Sequence, residues 1–314
     1  EKFVGGRMST RTKEDFPFDI GADHLANVYA EMKKYCNEFN ISWQKLNFFK
    51  YGIIRNNKII PLTDGVSFFS KILLSLQFLQ CKKDIDFFNL STGIKYNKEN
   101  AYDFMKRKVG KEIADYYVDP FASAYQFHSA KEISLTGLLG IMQSIKYNKK
   151  DWDLYETKGG MSALPEALAK KLQVKINKPI QSIAVKKDCI EVMMVGKKKK
   201  EYFDKVIIAT TANTAKKIYQ TQTEAQQKIL DSTKYSSTIS IAFRVPAKKL
   251  RNYSVVWAPY IESKAISGFS NEKMKGKKMI HNEKSLLCVW LHEDFTKKII
   301  NKSDKMIFST VRKE

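Results

Sequence analysis

The chain has 314 residues and a formal net charge of +22, which results from 55 basic and 33 acidic side chains. Hydrophobic residues make up 43% and aromatic residues 12% of the sequence, so the composition supports a packed core and excludes an intrinsically disordered chain. The cysteines Cys36, Cys81, Cys189 and Cys288 form no close pair, which disfavours a CxxC metal motif or a disulfide framework and is typical of a reducing, cytoplasmic compartment.

The positive charge is spread along the sequence. Its strongest run, Lys197 to Lys200, separates two apolar stretches where a hairpin turn is expected. Scattered lysines are typical of a solvated surface, and the sequence carries no aromatic and basic signature of a nucleic-acid-binding module. We therefore predict no nucleic-acid partner, and an anionic membrane or an anionic substrate is the alternative explanation of the charge. No apolar run approaches the roughly 20 residues of a membrane-spanning helix.

The first half of the chain is predicted to be mostly helical after a loop and a short strand. Asn56 and Asn57 tolerate the positive φ of a tight turn, so the apolar stretches on either side predict a β-hairpin over residues 48–62. Apolar residues three and four positions apart predict amphipathic helices, and these cover residues 22–39, 66–79, 101–118 and 134–145.

The second half is predicted to contain mostly strands. One helix is expected over residues 161–172, with Pro165 in its first turn, and others begin near Thr214 and Ser303. The continuous apolar run 206–209 predicts a strand that is buried on both faces. Alternating apolar residues predict the other strands, at residues 174–176, 180–185, 189–195, 239–245, 255–257 and 286–291.

The tripeptide Gly5-Gly6-Arg7 is the first functional signal. Glycines let a backbone approach a phosphate closely, and arginine can pair with a pyrophosphate through its fork of donors. Taken alone, however, the tripeptide is more typical of a surface turn with a solvated arginine. Its meaning therefore depends on the segments that follow it.

Five segments occur in an order that resembles a large flavoprotein superfamily, which includes amine oxidases, protoporphyrinogen oxidases and phytoene desaturases. The segments at 114–121 and 159–161 are most similar to protoporphyrinogen-oxidase-like members. The segments are Val4-Gly5-Gly6-Arg7-Met8-Ser9-Thr10, Phe18-Asp19-Ile20-Gly21-Ala22, Ala114-Asp115-Tyr116-Tyr117-Val118-Asp119-Pro120-Phe121, Gly159-Gly160-Met161 with Leu164-Pro165-Glu166-Ala167-Leu168, and Phe203-Asp204-Lys205-Val206-Ile207-Ile208-Ala209-Thr210.

The resemblance implies an α+β fold with an α/β cofactor part. In this fold an FAD/NAD(P)-binding Rossmann-like domain, here incomplete, is interleaved with a helical and β-sheet substrate domain. We expect residues 1–35 and 151–235 to form the FAD-binding part. Residues 36–150 and 236–314 then form the substrate domain, which is helical over 65–150.

The resemblance also implies the roles of individual residues toward FAD. Gly5, Gly6 and Arg7 correspond to the loop beside the ribose and pyrophosphate, and Gly21 with Ala22 to the segment beside the flavin ring. Five further residues complete the correspondence: Gly160 and Met161 in a loop leading into the cofactor domain, Ile180 where a backbone contacts the adenine, and Ala209 with Thr210 at the end of a cofactor-domain strand.

The sequence departs from the family pattern at both ends. The opening strand with its G-x-G-x-x-G motif, which holds the pyrophosphate at a helix N-terminus, is absent, and Glu1 lies near the place of the ribose-binding acid. The final glycine-containing flavin segment and its helix are absent too. We therefore expect a fragment of a longer enzyme, and a non-catalytic remnant without FAD is the alternative.

The implied activity is removal of a hydride from a hydrophobic cyclic or polyene substrate, with oxygen or another acceptor reoxidising the flavin. A protoporphyrinogen-oxidase-like reaction leads, and carotenoid desaturation and amine oxidation are the alternatives. No catalytic residue is assigned, because in flavin enzymes the cofactor performs the redox step. His24 follows the flavin-side segment, although an ordinary hydrogen bond explains it as well.

Two further features bear on partners. His128, His281 and His292 are dispersed without the spacing of metal ligands, so we predict no metal site. The apolar side chains of the helix predicted over 66–79 could line a substrate pocket or contact a membrane peripherally, with core packing as the alternative. They are Phe68, Phe69, Leu73, Leu74, Phe78 and Leu79.

Overall fold

The structure, a computed structural model, describes residues 1–46, 50–80, 85–147 and 149–314, and within these ranges it leaves out the side chains of residues 78–80, 149, 151 and 277. Cys81, residues 48–49 of the predicted hairpin and the side chains of Phe78 and Leu79 therefore lie outside the described residues. The chain forms two compact units. The small unit comprises Glu1–Gly6 and Pro165–Tyr235, and the large unit comprises Arg7–Leu164 and Ser236–Glu314.

Helices and open sheets are mixed along the chain, which confirms the predicted α+β class. The strands are β1 Thr10–Lys13, β2 Phe16–Asp19, β3 Leu25–Ala26, β4 Trp43–Lys45, β5 Tyr51–Arg55, β6 Lys58–Pro61, β7 Leu154–Thr157, β8 Ile180–Val185, β9 Ile190–Met194, β10 Glu201–Phe203, β11 Ser240–Pro246, β12 Val255–Trp257, β13 Ile266–Asn271 and β14 Lys284–Leu291.

Most helices are shorter than those predicted from sequence, whereas the helix predicted over 134–145 extends to Tyr147. The helices are α1 Ala30–Glu38, α2 Phe68–Gln80, α3 Ala101–Lys108, α4 Lys111–Ile113, α5 Asp119–Phe121, α6 Leu135–Tyr147, α7 Ala163–Lys171, α8 Ala212–Ile218, α9 Glu224–Ser232, α10 Glu293–Ile299 and α11 Asp304–Val311.

A six-stranded sheet organises the large unit, in the order β11-β14-β13-β12-β5-β6. Neighbouring strands are antiparallel except β12 and β5, which are parallel. The helices of residues 101–147 bury their apolar faces in one core with this sheet, where Ile53, Ile113 and Leu138 are fully buried. A second cluster joins β11 and β14 to α10 and α11. Burial of apolar surface is thus what holds the sheet to its helices.

Two smaller sheets complete the large unit. The hairpin of β1 and β2 is one of them, and β3, β7 and β4 form the other. The predicted hairpin over 48–62 is confirmed by β5 and β6, whose turn residues Asn56 and Asn57 have φ of 52° and 59°. Positive φ at both central positions is the geometry that matches the twist of the flanking strands.

Two predicted helices are wrong in extent. The helix predicted over 22–39 begins only at Ala30, because the buried residues Leu25 and Ala26 pair with β7 as strand β3. The helix predicted over 101–118 is interrupted at Gly110, whose φ of 123° is outside the helical region. Tertiary pairing and one glycine therefore override the apolar periodicity.

The chain from Ala114 to Gln126 alternates between π-helical turns and helix α5. The turns are Ala114–Val118 and Ala122–Gln126, and they place Asp119 where its Oδ2 accepts a hydrogen bond from Tyr260 N at 2.7 Å. Burial raises the pKa of the Asp119 carboxyl to about 6. The sequence predicted a regular helix that ends at residue 118 and did not predict the π-helical turns.

The small unit contains the antiparallel sheet β10-β9-β8 with helices α8 and α9. Ile183, Val192 and Ile218 form its core. The strands predicted over 180–185 and 189–195 are confirmed, but residues 174–176 form no strand.

The prediction of a strand over residues 206–209 is also wrong. Val206 and Ile208 pack toward the core of the small unit, whereas Ile207 is 92% exposed. A strand buried on both faces needs a neighbour at each edge, and within the described part of the chain no strand pairs with this run. The apolar run alone therefore does not form a buried strand.

Candidate functional site

The hairpin of β1 and β2 brings the residues after Arg7 against those before Gly21. Its turn residues Glu14 and Asp15 have φ of 48° and 66°. The register sets Thr10 opposite Asp19, and Thr10 Oγ1 donates to Asp19 Oδ1 at 2.5 Å. Two segments that are separate in sequence therefore lie side by side.

Gly21 is held against Arg7 by the backbone. Ala22 N donates to Arg7 O at 2.9 Å, and Gly21 has a φ of 139°. A Cβ at position 21 would lie 2.3 Å from Arg7 O, closer than any real Cβ contact. The structure thus brings Arg7, Gly21 and Ala22 together, and it does so in a way that only glycine allows.

The loop at Gly160 docks onto the same hairpin. Met161 N donates to Thr10 Oγ1 at 2.7 Å, and Thr10 N donates to Ser162 Oγ at 2.9 Å. Gly160 has a φ of 82°, and a Cβ there would lie 2.4 Å from Thr10 Oγ1. Three of the five sequence segments therefore converge on one threonine.

The remaining sequence-predicted residues lie in the small unit. Gly5 and Gly6 have positive φ of 94° and 52°, and a Cβ at Gly6 would meet nothing within 4 Å. Ile180 begins β8, an edge strand of its sheet. Ala209 and Thr210 are exposed just before α8. Gly6, Ala209 and Thr210 are exposed and Gly5 and Ile180 are half-buried, and the contacts of these residues with FAD stay a prediction.

An ionic cluster that the sequence did not predict lies beside the hairpin. Lys275 Nζ lies 2.7 Å from Glu272 Oε2 and 3.8 Å from Asp19 Oδ2. The three side chains are only 3%, 6% and 16% exposed, respectively. Ser270 Oγ donates to Glu272 Oε1 at 2.7 Å. A buried ammonium thus links a carboxylate of β2 with one that follows β13.

Burial sets the protonation of this cluster. It raises the pKa of Asp19 to about 6, although Lys275 and Thr10 act in the opposite direction. Burial alone would lower the pKa of Lys275, but the surrounding carboxylates hold that pKa above its usual value. Asp19 is therefore a carboxyl that changes protonation near neutral pH, next to a permanent cation.

Asp23 and His24 form a second pair directly after Gly21 and Ala22. His24 Nδ1–H donates to Asp23 Oδ1 at 2.5 Å, and the side chains are 29% and 26% exposed. Burial opposes charge on both groups, but their mutual attraction lowers the pKa of Asp23 and raises that of His24. The mutual attraction therefore favours the charged forms of both groups, and both side chains remain partly exposed.

An aromatic cluster lies within electrostatic reach of Asp23. The ring centroids of Tyr51, Phe121 and Tyr125 lie 6.0–6.3 Å from that of Trp257, and Phe121 stacks on Tyr125 at 5.2 Å. Burial raises the pKa of Tyr51 and Tyr125, and the carboxylate of Asp23 raises both further. Trp257 Nε1 is buried without a hydrogen-bond partner among the described residues. The cluster combines flat apolar faces with a free donor.

Sequence reasoning missed Glu272, Lys275 and the aromatic cluster. Lys275 is one of 55 basic side chains, and its segment Asn271-Glu272-Lys273-Met274-Lys275 reads as a solvated turn. The strand β13 that carries it toward the hairpin was not predicted. His24 was noted in the sequence, but its partner Asp23 was not.

A family model described as flavin-containing amine oxidoreductase matches residues 1–314. The chain belongs to this family. It is accordingly an FAD-dependent oxidoreductase, as the sequence segments predicted. A comparison with curated proteins finds no match.

Several solved structures share the fold of this chain. One is a putrescine oxidase double mutant redesigned in its cofactor binding, at 13% identity and a TM-score of 0.76, covering 99% of this chain and 72% of that one. Another is a putative protoporphyrinogen oxidase from Exiguobacterium sp. 255-15. It is 11% identical with a TM-score of 0.74, and the match covers 98% of this chain and 73% of that one. A third is cyclohexylamine oxidase from Brevibacterium oxydans IH-35A. It is 10% identical with a TM-score of 0.75, and the match covers 97% of this chain and 71% of that one. At these identities the likeness establishes the fold.

The described residues that surround Arg7 fit the pyrophosphate of FAD. The Arg7 side chain is exposed, and nothing in residues 1–46, 50–80, 85–147 or 149–314 pairs with its guanidinium. Gly6, which precedes it, leaves open space beside its backbone. Phosphate oxygens are recognised by arginine and by a backbone that can approach them closely.

Among the described helices, none is long and apolar enough to cross a membrane.

We expect Gly21→Ala to destabilise the protein by roughly 2–4 kcal/mol, because it adds backbone strain and a clash with Arg7 O. Gly110→Ala is the matched control, since Gly110 has a similar φ of 123° but nothing within 4 Å of the added Cβ. Urea unfolding of both variants measures the difference. Equal losses in the free energy of unfolding would show that the added Cβ at position 21 does not clash with Arg7 O.

We expect Lys275→Met to destabilise the protein by about 3–5 kcal/mol at pH 8, because it leaves buried carboxylates without their cation. The loss should shrink at pH 5. The pKa of Asp19 is raised to about 6 in the folded protein. The stability that this carboxyl contributes is fully present below its unfolded pKa and is lost as the pH rises through about 6, so the missing cation matters less at pH 5.

Urea unfolding at pH 5 and pH 8 checks this expectation. Lys34→Met is the control, because the Lys34 side chain is 72% exposed and its loss should cost less than about 0.5 kcal/mol. A loss for Lys275→Met that does not change with pH would contradict the assigned charges.

Proposed function

We propose that the chain oxidises a hydrophobic small molecule by hydride transfer to FAD, with a cyclic or polyene substrate of the protoporphyrinogen-oxidase type as the leading candidate. The observation that carries the proposal is the position of the Asp23–His24 pair. It directly follows Gly21 and Ala22, the segment that resembles the flavin-side segment of the family. Oxygen or another molecule would then reoxidise the flavin.

The cofactor supplies the hydride acceptor when it is bound, and the residues of this chain supply binding and charge. Arg7 with Gly5 and Gly6 would hold the pyrophosphate, while Ile180, Ala209 and Thr210 would contact the remainder of FAD. A protonated His24 beside the flavin-side segment would favour the gain of negative charge that accompanies reduction. Asp19, with a pKa of about 6, could take up the proton that leaves the substrate.

Amine oxidation is the second candidate, and the aromatic cluster favours it. The faces of Tyr51, Tyr125 and Trp257 offer a negative potential, which attracts an ammonium group as well as a flat apolar ring. The family is that of the flavin-containing amine oxidoreductases, and the similar structures include a putrescine oxidase and a cyclohexylamine oxidase, which also supports amine oxidation.

An absorption spectrum taken after incubation with FAD and desalting tests the cofactor roles. We expect flavin bands to be retained and Arg7→Met to weaken FAD binding about 10- to 100-fold, the loss of one charge-assisted contact. Arg312→Met, at an exposed position, should leave binding unchanged. A colourless wild-type protein would contradict the proposed contacts.

The same flavin bands report the substrate. Under anaerobic conditions, bleaching by a porphyrinogen would support the leading candidate, and bleaching only by a primary amine would support the second. If a carotenoid precursor alone bleaches the bands, the reaction is a desaturation. A flavin that none of them reduces would contradict the proposed substrate class.

We also propose a peripheral contact with an anionic membrane, made by α2. Phe68, Phe69 and Leu76 are 77%, 68% and 50% exposed, and the chain carries a net charge of +22. Exposed apolar residues together with positive charge favour anionic lipid surfaces. The cytoplasmic location expected from the cysteines stays a prediction.

Co-sedimentation with vesicles tests this contact. We expect binding to vesicles that contain anionic lipid, weaker binding to neutral ones, and a clear loss for the double variant Phe68→Ser, Phe69→Ser. Ile207→Ser is the matched control, because Ile207 is 92% exposed but lies in the small unit. Equal binding by all three proteins would refute a contact through α2.

A further inference from the structure

We propose that the large unit holds a divalent transition-metal ion of the zinc class, bound by His128, Glu132 and Glu293. The ligand atoms are His128 Nδ1 and the Oε2 atoms of the two glutamates. The site is separate from the residues assigned to FAD and substrate, so it does not depend on the proposed function.

The spacing of the three atoms suits a small coordinated ion. His128 Nδ1 lies 3.3 Å from Glu293 Oε2 and 3.5 Å from Glu132 Oε2, and the three atoms lie within 4.8 Å of one another. Nitrogen and oxygen ligands about 2.1 Å from a tetrahedral zinc ion lie about 3.4 Å apart. The two separations that involve His128 Nδ1 match the edges of such a site.

The imidazole nitrogen lacks an ordinary partner. His128 Nδ1 is buried and makes no hydrogen bond of acceptable geometry with the described residues. A buried polar atom without a partner costs free energy, and a metal ion would satisfy it. Glu293 is only 7% exposed, so its carboxylate also gains from a cation that replaces water.

The second oxygen of Glu293 is already held in place. Lys297 Nζ lies 2.8 Å from Glu293 Oε1, which leaves Oε2 directed to His128. Hydrogen bonds to a ligating carboxylate are the usual way in which proteins orient such ligands. The Lys297 side chain is 58% exposed, so its charge is screened by solvent.

Glu132 opens the site to solvent. Its side chain is 57% exposed, which gives the ion a path of entry and leaves the fourth position to water. One imidazole nitrogen with two carboxylates favours Zn²⁺ or a similar transition ion over Mg²⁺ and Ca²⁺, which prefer oxygen ligands only.

The ion would connect two segments that are distant in the sequence. Phe127, with a φ of 55°, ends the second π-helical turn just before His128, and Glu293 begins α10. Both segments belong to the large unit. The histidine spacing predicted no metal site, because the nearest ligand in sequence is a glutamate and the third lies at the start of a different helix.

Titration of chelator-treated protein with Zn²⁺ in a calorimeter tests the proposal. We expect one equivalent to bind with micromolar or tighter Kd, and the melting temperature to rise by several degrees when Zn²⁺ is in excess. His128→Gln and Glu132→Gln should each weaken binding at least tenfold. Co²⁺ in place of Zn²⁺ should give visible bands of a four-coordinate ion that disappear in His128→Gln.

Glu132→Gln is the decisive variant, because the exposed side chain can change without unfolding the protein. Glu283→Gln, at another exposed glutamate, is the control and should bind like wild type. Alkylation of the cysteines should leave the stoichiometry unchanged. No binding, or binding that both ligand variants retain, would overturn the proposal.

Discussion

The hydroxyl group of Thr10 is the contact on which the candidate site depends. It has one proton, which it donates to Asp19, so the oxygen remains to accept the backbone amide of Met161. One side chain thereby fixes the strand before Gly21 and the loop at Gly160 at the same time. An apolar side chain of similar shape would leave a carboxylate and an amide without partners, which costs more than the bonds themselves stabilise.

The charges around this contact form one coupled system. Lys275 is shared between Glu272 and Asp19, and Asp23 lies close enough to raise the pKa of both Lys275 and Asp19. Such groups do not titrate independently. A ligand that brings charge to this region would therefore change the proton content of several side chains, which links cofactor or substrate binding to pH.

The sequence predicted what local chemistry decides. The turn at Asn56 and Asn57 depends on residues that few others can replace, and the sequence predicted it. Gly21 was singled out only by its resemblance to a flavin-side segment, and its close packing against Arg7 O was not predicted. The run at Ile207 was assigned wrongly because burial depends on neighbouring strands, which composition does not reveal. Lys275 gave no signal, since only the pairing of β13 and β14 turns one lysine of many toward the hairpin.

The two carboxyls with a pKa of about 6, Asp19 and Asp119, have a consequence for the thermodynamics of the whole chain. At pH 5 both are largely protonated in the folded protein, whereas in the unfolded chain they ionise with a pKa of 3.8. Unfolding at that pH therefore releases protons. The heat absorbed on melting then contains the ionisation heat of the buffer, so acetate and a buffer of different ionisation enthalpy would give different apparent enthalpies for the same transition.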